Sequence, residues 1–518
     1  DTMGIDIKSA PDMGINGNLF VNNIKYGNLL LDEVKADISH GKRGIVVNSM
    51  IHNHSRKNPN KFKFEARAFL LEESVGGDIT FRNKNNEVGF NIGLVSKIVD
   101  HGLQMQFYPE TPIIAFRNFE INKDNYIRLD KERHFEADVR LLADDNTGFQ
   151  LFCEPSDSVN DLTLSLSNVN LRELSNVVPY MPRLAGLLSA DFRIMDDHKN
   201  LAAKGSVMAK EFGFDETKLG DLGADFVYLP KSENEHSANM FVTAQGENVM
   251  ELSGTYLSEG DGWFEGEALL NSFPLAIANS FLKGTDIFLK GTAEGGLGVK
   301  GTLDAPCVNG ELSFANAHIY SNVYSFDFMM DEKPIYFEDS RMNLKDFKLT
   351  TKGKEPLVLD GVLDMSDFDN VTMDFSMKGK NFELINAKRH PTSVAFGKLF
   401  VDVDCTMKGA TDNLVVRGDL NILNRTNLTY ILKDSPLTVE NQLDGLVEFV
   451  DFELDETQQT EALPETHIDV TLGIGISEAA NFHCNLSEDG KSYVDLQGGG
   501  NLTLRMTKQG EMRLIGRM

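Results

Sequence analysis

Apolar and polar residues alternate strictly along much of this chain. Leu162, Leu164 and Leu166 interleave with Thr163, Ser165 and Ser167. Val371, Met373, Phe375 and Met377 interleave with Thr372, Asp374, Ser376 and Lys378. The pattern recurs at Val401 and Val403, at Ile468, Val470, Leu472, Ile474 and Ile476, and at Leu502, Leu504 and Met506. Near the start, Phe62 and Phe64 alternate with Lys61, Lys63 and Glu65. Successive side chains of a strand point to opposite faces, so each segment predicts a strand with one apolar and one wet face. Such patterning predicts antiparallel strands covered on one side only.

Helical spacing is scarce. It predicts short helices over 171–178, over Phe273–Leu282 and over Phe382–Ala387, where the strand pattern breaks. Asp144–Gly148, Asp261-Gly262 and Glu488-Asp-Gly490 read as turns, and the acidic, aperiodic stretch Asp455–Glu465 as a flexible loop.

The chain also repeats itself. Lys300-Gly-Thr-Leu-Asp-Ala-Pro-Cys-Val-Asn-Gly-Glu-Leu-Ser-Phe314 aligns without a gap on Lys408-Gly-Ala-Thr-Asp-Asn-Leu-Val-Val-Arg-Gly-Asp-Leu-Asn-Ile422, and a looser copy runs through Ala203–Ala209. The shared glycine falls at 205, 310 and 418, in steps of 105 and 108 residues, and each copy follows one of the helical candidates. That period is well above those of common solenoids. A smaller unit, glycine followed two residues on by an apolar residue, recurs at Gly17, Gly77, Gly254, Gly361 and Gly500, and predicts a turn at each strand entry. The expected organisation is an N-terminal β segment, 1–167, then three repeats over 168–270, 271–377 and 378–518. These form one continuous body, because no linker of proline, serine and glycine separates them.

Composition narrows the partners. Lys and Arg total 50 against 78 Asp and Glu, a net charge of −28. A surface that acidic repels phosphate backbones, so nucleic acid is not expected as a partner. Thirty-four Phe and 11 Tyr against one Trp suit a large apolar surface. No apolar run is long enough to span a membrane, and the start, Asp1-Thr2-Met3-Gly4, has no signal-peptide character. With an unfinished strand at its end, the chain reads as an excerpt of something longer. Cys153, Cys307, Cys405 and Cys484 lie far apart, and Cys405 and Cys484 have the parity of small buried hydrophobes.

The run Phe273-Pro-Leu-Ala-Ile-Ala-Asn-Ser-Phe-Leu-Lys-Gly284, followed by the glycine-punctuated phrase from Leu289 to Phe314, resembles the TamB family of bacterial envelope proteins, related to AsmA-like proteins. The phrase is intact around 291–312; in the third copy Leu414 replaces Pro306, and in the first the phrase is eroded. The resemblance implies an all-β fold: an elongated, twisted, U-shaped antiparallel sheet, or β-taco, with tandem repeats, a few short helices and an apolar groove. It implies a Gram-negative periplasmic protein anchored in the inner membrane by an N-terminal helix not present here. Phospholipid acyl chains are the implied cargo, and a TamA-like outer-membrane barrel or lipoprotein analogue the implied partner. The expected groove lining is the apolar parity: Leu162, Leu164 and Leu166; Leu312 and Phe314; Val371, Met373 and Phe375; Val401 and Val403; Ile468, Val470 and Leu472; Leu502 and Leu504.

Candidate chemistry is sparse, and neither catalysis nor a cofactor is expected. His52 and His54 share a strand parity and can both reach one metal, but no third ligand is in sight and Ser55–Asn60 reads as a hairpin loop, so a solvated turn is expected. Gly295–Gly301 sits between alternating strands with no helix behind it, unlike a phosphate-binding loop. Asp402 and Asp404 lie on the polar parity, as a wet outer face requires. An apolar face beyond a few hundred Å² needs a cover. Curling into a groove for acyl chains supplies one; pairing of the sheet edge with nascent barrel strands is the alternative role.

Overall fold

The computed structural model describes residues 2–10, 14–26, 29–41, 43–55, 58, 60–99, 102–130, 135–154, 160–197, 200–215, 217–282, 286–302, 304–432, 468–487, 491–508 and 512–517. The expected loop Asp455–Glu465 and the turn Glu488–Gly490 lie outside them. The fold is all-β, with thirty-five strands, one α-helix and one 3₁₀ helix among the described residues. None of these is a helix long and apolar enough to cross a membrane. The chain forms two compact units, residues 1–248 and 249–518.

In the first unit the strands follow sequence order, each antiparallel to the one before, from Thr2–Ala10 to Phe62–Leu71 and on to Gly102–Ile114. The order continues from Phe135–Leu142 through Asn160–Asn170, Leu184–Asp196 and Leu201–Phe214 to Glu235–Ala244. The helix Leu171–Val177 is started by Asn170, whose side chain accepts from the N–H of Arg172 and of Glu173. It buries Leu171 and Val177, and Val177 packs with Phe62 and Phe81. Helix propensity over seven residues is too little to hold such a segment, so its apolar face is what fixes it.

The second unit begins the same way. The strand Trp263–Pro274 is followed by the 3₁₀ helix Leu275–Phe281, on which Asn279 ties down the incoming strand by bonding both the N–H and the carbonyl of Leu289. Leu275 is buried with Ala293 and Ala317. The unit then departs from the expected antiparallel order: Asn413–Ile422 pairs in parallel with Ile468–Ile476, and Asn427–Ile431 in parallel with Asn481–Asn485. A parallel pair cannot be joined by a hairpin turn, and the paired residues Ile422 and Ile476 are far apart in the sequence.

The helix expected at Phe382–Ala387 is absent; the segment is the end of a long strand, Thr372–Ala387. Register shifts lie between Gly379 and Phe382 and between Glu383 and Ile385. Asn381 has φ +52°, and its N–H is held by the Asp402 carboxylate at 2.6 Å. A bulge adds a residue without changing the buried side, so Phe382 and Ile385 both point inward and mimic helical spacing. Similar register shifts, each beside a residue with positive φ, occur at Asn168, Glu211, Ser272 and Asp346. The N–H groups of Glu211 and Asp346 are likewise accepted by carboxylates of the next strand, Asp221 and Asp360.

Gly17, Gly77, Gly254 and Gly361 sit inside strands rather than at their entries. At Gly361 the reason is close approach. A Cβ there would stand 2.1 Å from the Asp374 carbonyl oxygen and 2.6 Å from the Phe375 ring. The expected boundaries at 168, 271 and 378 also fall inside strands, each paired on both sides within its unit.

Candidate functional site

Strand registers turn the alternating sequence into continuous rows. In the first unit one row crosses seven strands: Leu141, Phe149, Leu166, Ala190, Val207, Ala224 and Val242 stand side by side. The next contains Val139, Leu151, Leu164, Phe192, Gly205 and Phe226; a third joins Cys153, Leu162, Ile194 and Ala203. A row nearer the start, Val34, Ile51, Phe64, Phe81, Phe90 and Ile114, has the same character. Between the first two rows, on the opposite face, runs Arg140, Gln150, Ser165, Asp191, Ser206 and Asp225.

The second unit repeats the arrangement. Met373 belongs to a row with Leu363, Leu414 and Ile468; Phe375 to one with Met407, Val416, Val470 and Met506. Cys405, Leu472 and Leu504 share a third row, and Val403, Leu420, Ile474 and Leu502 a fourth. Val401 stands beside Phe382 and Ile422. Leu312 pairs with Ile335, and Phe314 packs with Leu275, Ala293 and Ala317. Val371 precedes its strand, where its carbonyl accepts the N–H of Thr411. The intervening polar row is Ser376, Thr406, Arg417, Thr471 and Arg505.

Burial grades along these rows. Phe382, Val401 and Val139 are sealed, with Phe382 and Val401 in a cluster that includes Phe347, Leu349 and Leu399. Phe375 is also buried, whereas Leu162, Leu164, Leu166, Leu312, Phe314, Val371, Met373, Val403, Ile468, Val470, Leu472, Leu502 and Leu504 are half-buried. The apolar face is therefore only partly filled by its own side chains. In the first unit it leaves a cavity of about 310 Å³, walled by Ile92, Phe107, Phe149, Leu166, Leu174 and Leu188. At its edge Arg117 forms an ion pair with Glu173 on the helix, at 2.6 Å, and with Asp145 on a turn. The guanidinium pKa is raised, first by its bond to Glu173. This polar rim links residues 56 apart and had no signal in the periodicity.

The opposite face carries cross-strand ion pairs: Arg67 with Asp78, Arg128 with Glu136, Arg193 with Asp161, Arg341 with Asp364 and Lys408 with Asp374. Exposed pairs of this kind add little to stability, so they select the face rather than stabilise the sheet. Asp404 is exposed as expected, but Asp402 is half-buried and committed to the bulge at Asn381. Cys405 is buried, and desolvation pushes its thiol pKa up, against any role as a nucleophile. Gly295–Gly301 lies within the strand Phe288–Gly301.

His52 and His54 do gain a third potential ligand. Glu33 is the direct cross-strand partner of His52, and ligand atoms of Glu33, His52 and His54 lie within 4.8 Å of one another. His52 lies nineteen positions after Glu33, so only the register reveals the trio.

Residues 345–518 match the family model for the TamB C-terminal domain. No curated protein and no solved structure matches the chain.

Proposed function

We propose that this chain, whose residues 345–518 match the TamB C-terminal domain model, works in the translocation and assembly system of the envelope as a non-catalytic conduit for phospholipid acyl chains between the inner and outer membranes, in the periplasm with a TamA-like barrel or lipoprotein analogue. The observation that carries this reading is the half-buried state of the apolar rows. A folding core closes on itself, as at Phe382 and Val401, whereas Val470 and Leu472 remain partly open along an entire strand. Each methylene of an acyl chain laid against such a row contributes about 0.8 kcal/mol. Aliphatic walls of uniform character hold a chain without fixing its position, as passage requires.

The test is phospholipid photo-crosslinking in living cells with the probe amino acid placed one residue at a time. Probes at Leu166, Val470 and Leu472 should capture phospholipid; probes at Gln150, Thr471 and Asp404, on the opposite face, should not. Equal capture on both faces, or none on either, rejects the conduit and leaves assistance to barrel assembly as the role of the sheet.

A further inference from the structure

We propose that Glu33, His52 and His54 form a binding site for a divalent transition-metal ion, with Zn²⁺ the ion it suits best, on the polar face of the first unit. Histidines two apart at a strand end point to the same side, and the register sets Glu33 directly opposite the first of them. The two imidazole centroids are 4.7 Å apart, and Glu33 Oε2 is 3.9 Å from His52 Nδ1. Two imidazoles and one carboxylate are a ligand set that zinc takes with a fourth position left for water. Calcium and magnesium, which prefer all-oxygen surroundings, fit it poorly.

The loop that carries His54 is built rather than loose. Asp32, buried next to Glu33, accepts the N–H of His54 at 2.6 Å and of Ser55 at 2.7 Å, the Ser55 hydroxyl at 3.0 Å and the Asn58 side chain at 3.3 Å. Asn53, between the two histidines, accepts the N–H of Asp32 and donates to the Leu30 carbonyl and to the Tyr180 hydroxyl. His54 Nδ1 lies 3.3 Å from the His52 carbonyl oxygen, a contact in which it donates and which leaves Nε2 free to ligate. No such scaffold is needed for a solvated turn.

One cation competes for the same carboxylate. Lys35 forms an ion pair with Glu33, whereas Lys63, the cross-strand partner of His52 on its other side, is paired with Glu65. Lys35 is half-exposed, so its ammonium can swing into water when a metal takes Glu33. Its removal should therefore strengthen metal binding, a result that a pair of unconnected surface histidines would not give.

The experiment is titration of the full chain, freed of metal, with Zn²⁺ against a chromophoric chelator. One equivalent should bind. His52→Ala, His54→Ala and Glu33→Gln should each weaken that binding by about tenfold or more, and Asp32→Asn by about tenfold through the position of His54. Lys35→Ala should tighten it several-fold. His54 is exposed, so His54→Ala should keep the metal-free thermal unfolding curve of the unsubstituted chain, which separates lost ligation from lost folding. Absence of Zn²⁺ binding at about 100 μM, or affinity unchanged in both His54→Ala and Glu33→Gln, overturns the proposal.

Discussion

Asp32 shows what one side chain contributes where the strand pattern stops. Burial raises the pKa of its carboxyl, but hydrogen bonds from the backbone of Ser55 and His54 and the side chains of Ser55 and Asn58 outweigh this and hold it below its usual value. Leaving two backbone N–H groups without an acceptor costs about 2 kcal/mol. Asp32→Ala should therefore speed amide exchange at His54 and Ser55 by about thirtyfold, with the neighbouring strands unaffected; equal exchange in both proteins would show that water replaces the carboxylate without loss. The sign with pH follows from the depressed value. The contribution is complete above the unfolded carboxyl pKa of about 3.9, and is lost as pH falls through the lower folded one. At this scale the sequence was legible where parity alone decided, as at Leu164 or Val470. It was silent at Asp32, Arg117 and Glu33, whose partners come from strand register and from a helix far along the chain.

Among the elements, the bulges explain both what the sequence disclosed and what it disguised. Alternation identified the strands Phe62–Leu71, Asn160–Asn170, Thr372–Ala387, Ala395–Ala410, Ile468–Ile476 and Gly500–Met506, because a one-residue slip would turn the whole apolar set to water. At Phe382 the same physics produced the misreading: an inserted residue brings Phe382 and Ile385 to one side, a spacing shared with a helix. Phe382 has no exposed surface, so Phe382→Ala should cost about 3–5 kcal/mol, read as a fall in the denaturant midpoint of the second unit. Asp402→Val should destabilise it too, whereas Asp404→Val, one turn of the pleat away and exposed, should be nearly neutral. If the two aspartates behave alike, the bulge is not held by Asp402. The repeat has a comparable signature. Gly310 and Gly418, matched by the internal alignment, have φ of +144° and +150°, and a Cβ at either would stand 2.1 or 2.2 Å from a carbonyl oxygen of the adjoining strand. Gly205, matched only loosely, instead faces the rings of Phe192 and Phe226. Gly310→Ala and Gly418→Ala should thus both be strongly destabilising, by more than the ~1 kcal/mol usual for such a change. Gly298→Ala, whose nearest neighbour is at 3.8 Å, should fold normally; the comparison is one of thermal midpoints.

For the molecule as a whole, a conduit makes a claim that no single contact makes. Cargo that travels along the apolar face must pass every cross-section, so one blocked section is as damaging as two. Phe149 and Val470 supply the test, one in each unit, both half-buried and both on apolar rows. A carboxylate at either position must be hydrated or neutralised on the apolar face, at a cost of several kcal/mol if it stays dry. Phe149→Asp and Val470→Asp should each impair outer-membrane integrity in cells that depend on this protein. The double variant should be no worse than the more severe single one. The neighbouring changes Gln150→Asp and Thr471→Asp, on the opposite face, should leave integrity intact, and protein levels of all variants must match. A sheet that acts instead by pairing with nascent barrel strands uses separate stretches independently, so the two lesions would add. Additive defects, or outer-face substitutions as harmful as inner ones, would therefore favour the scaffold over the conduit.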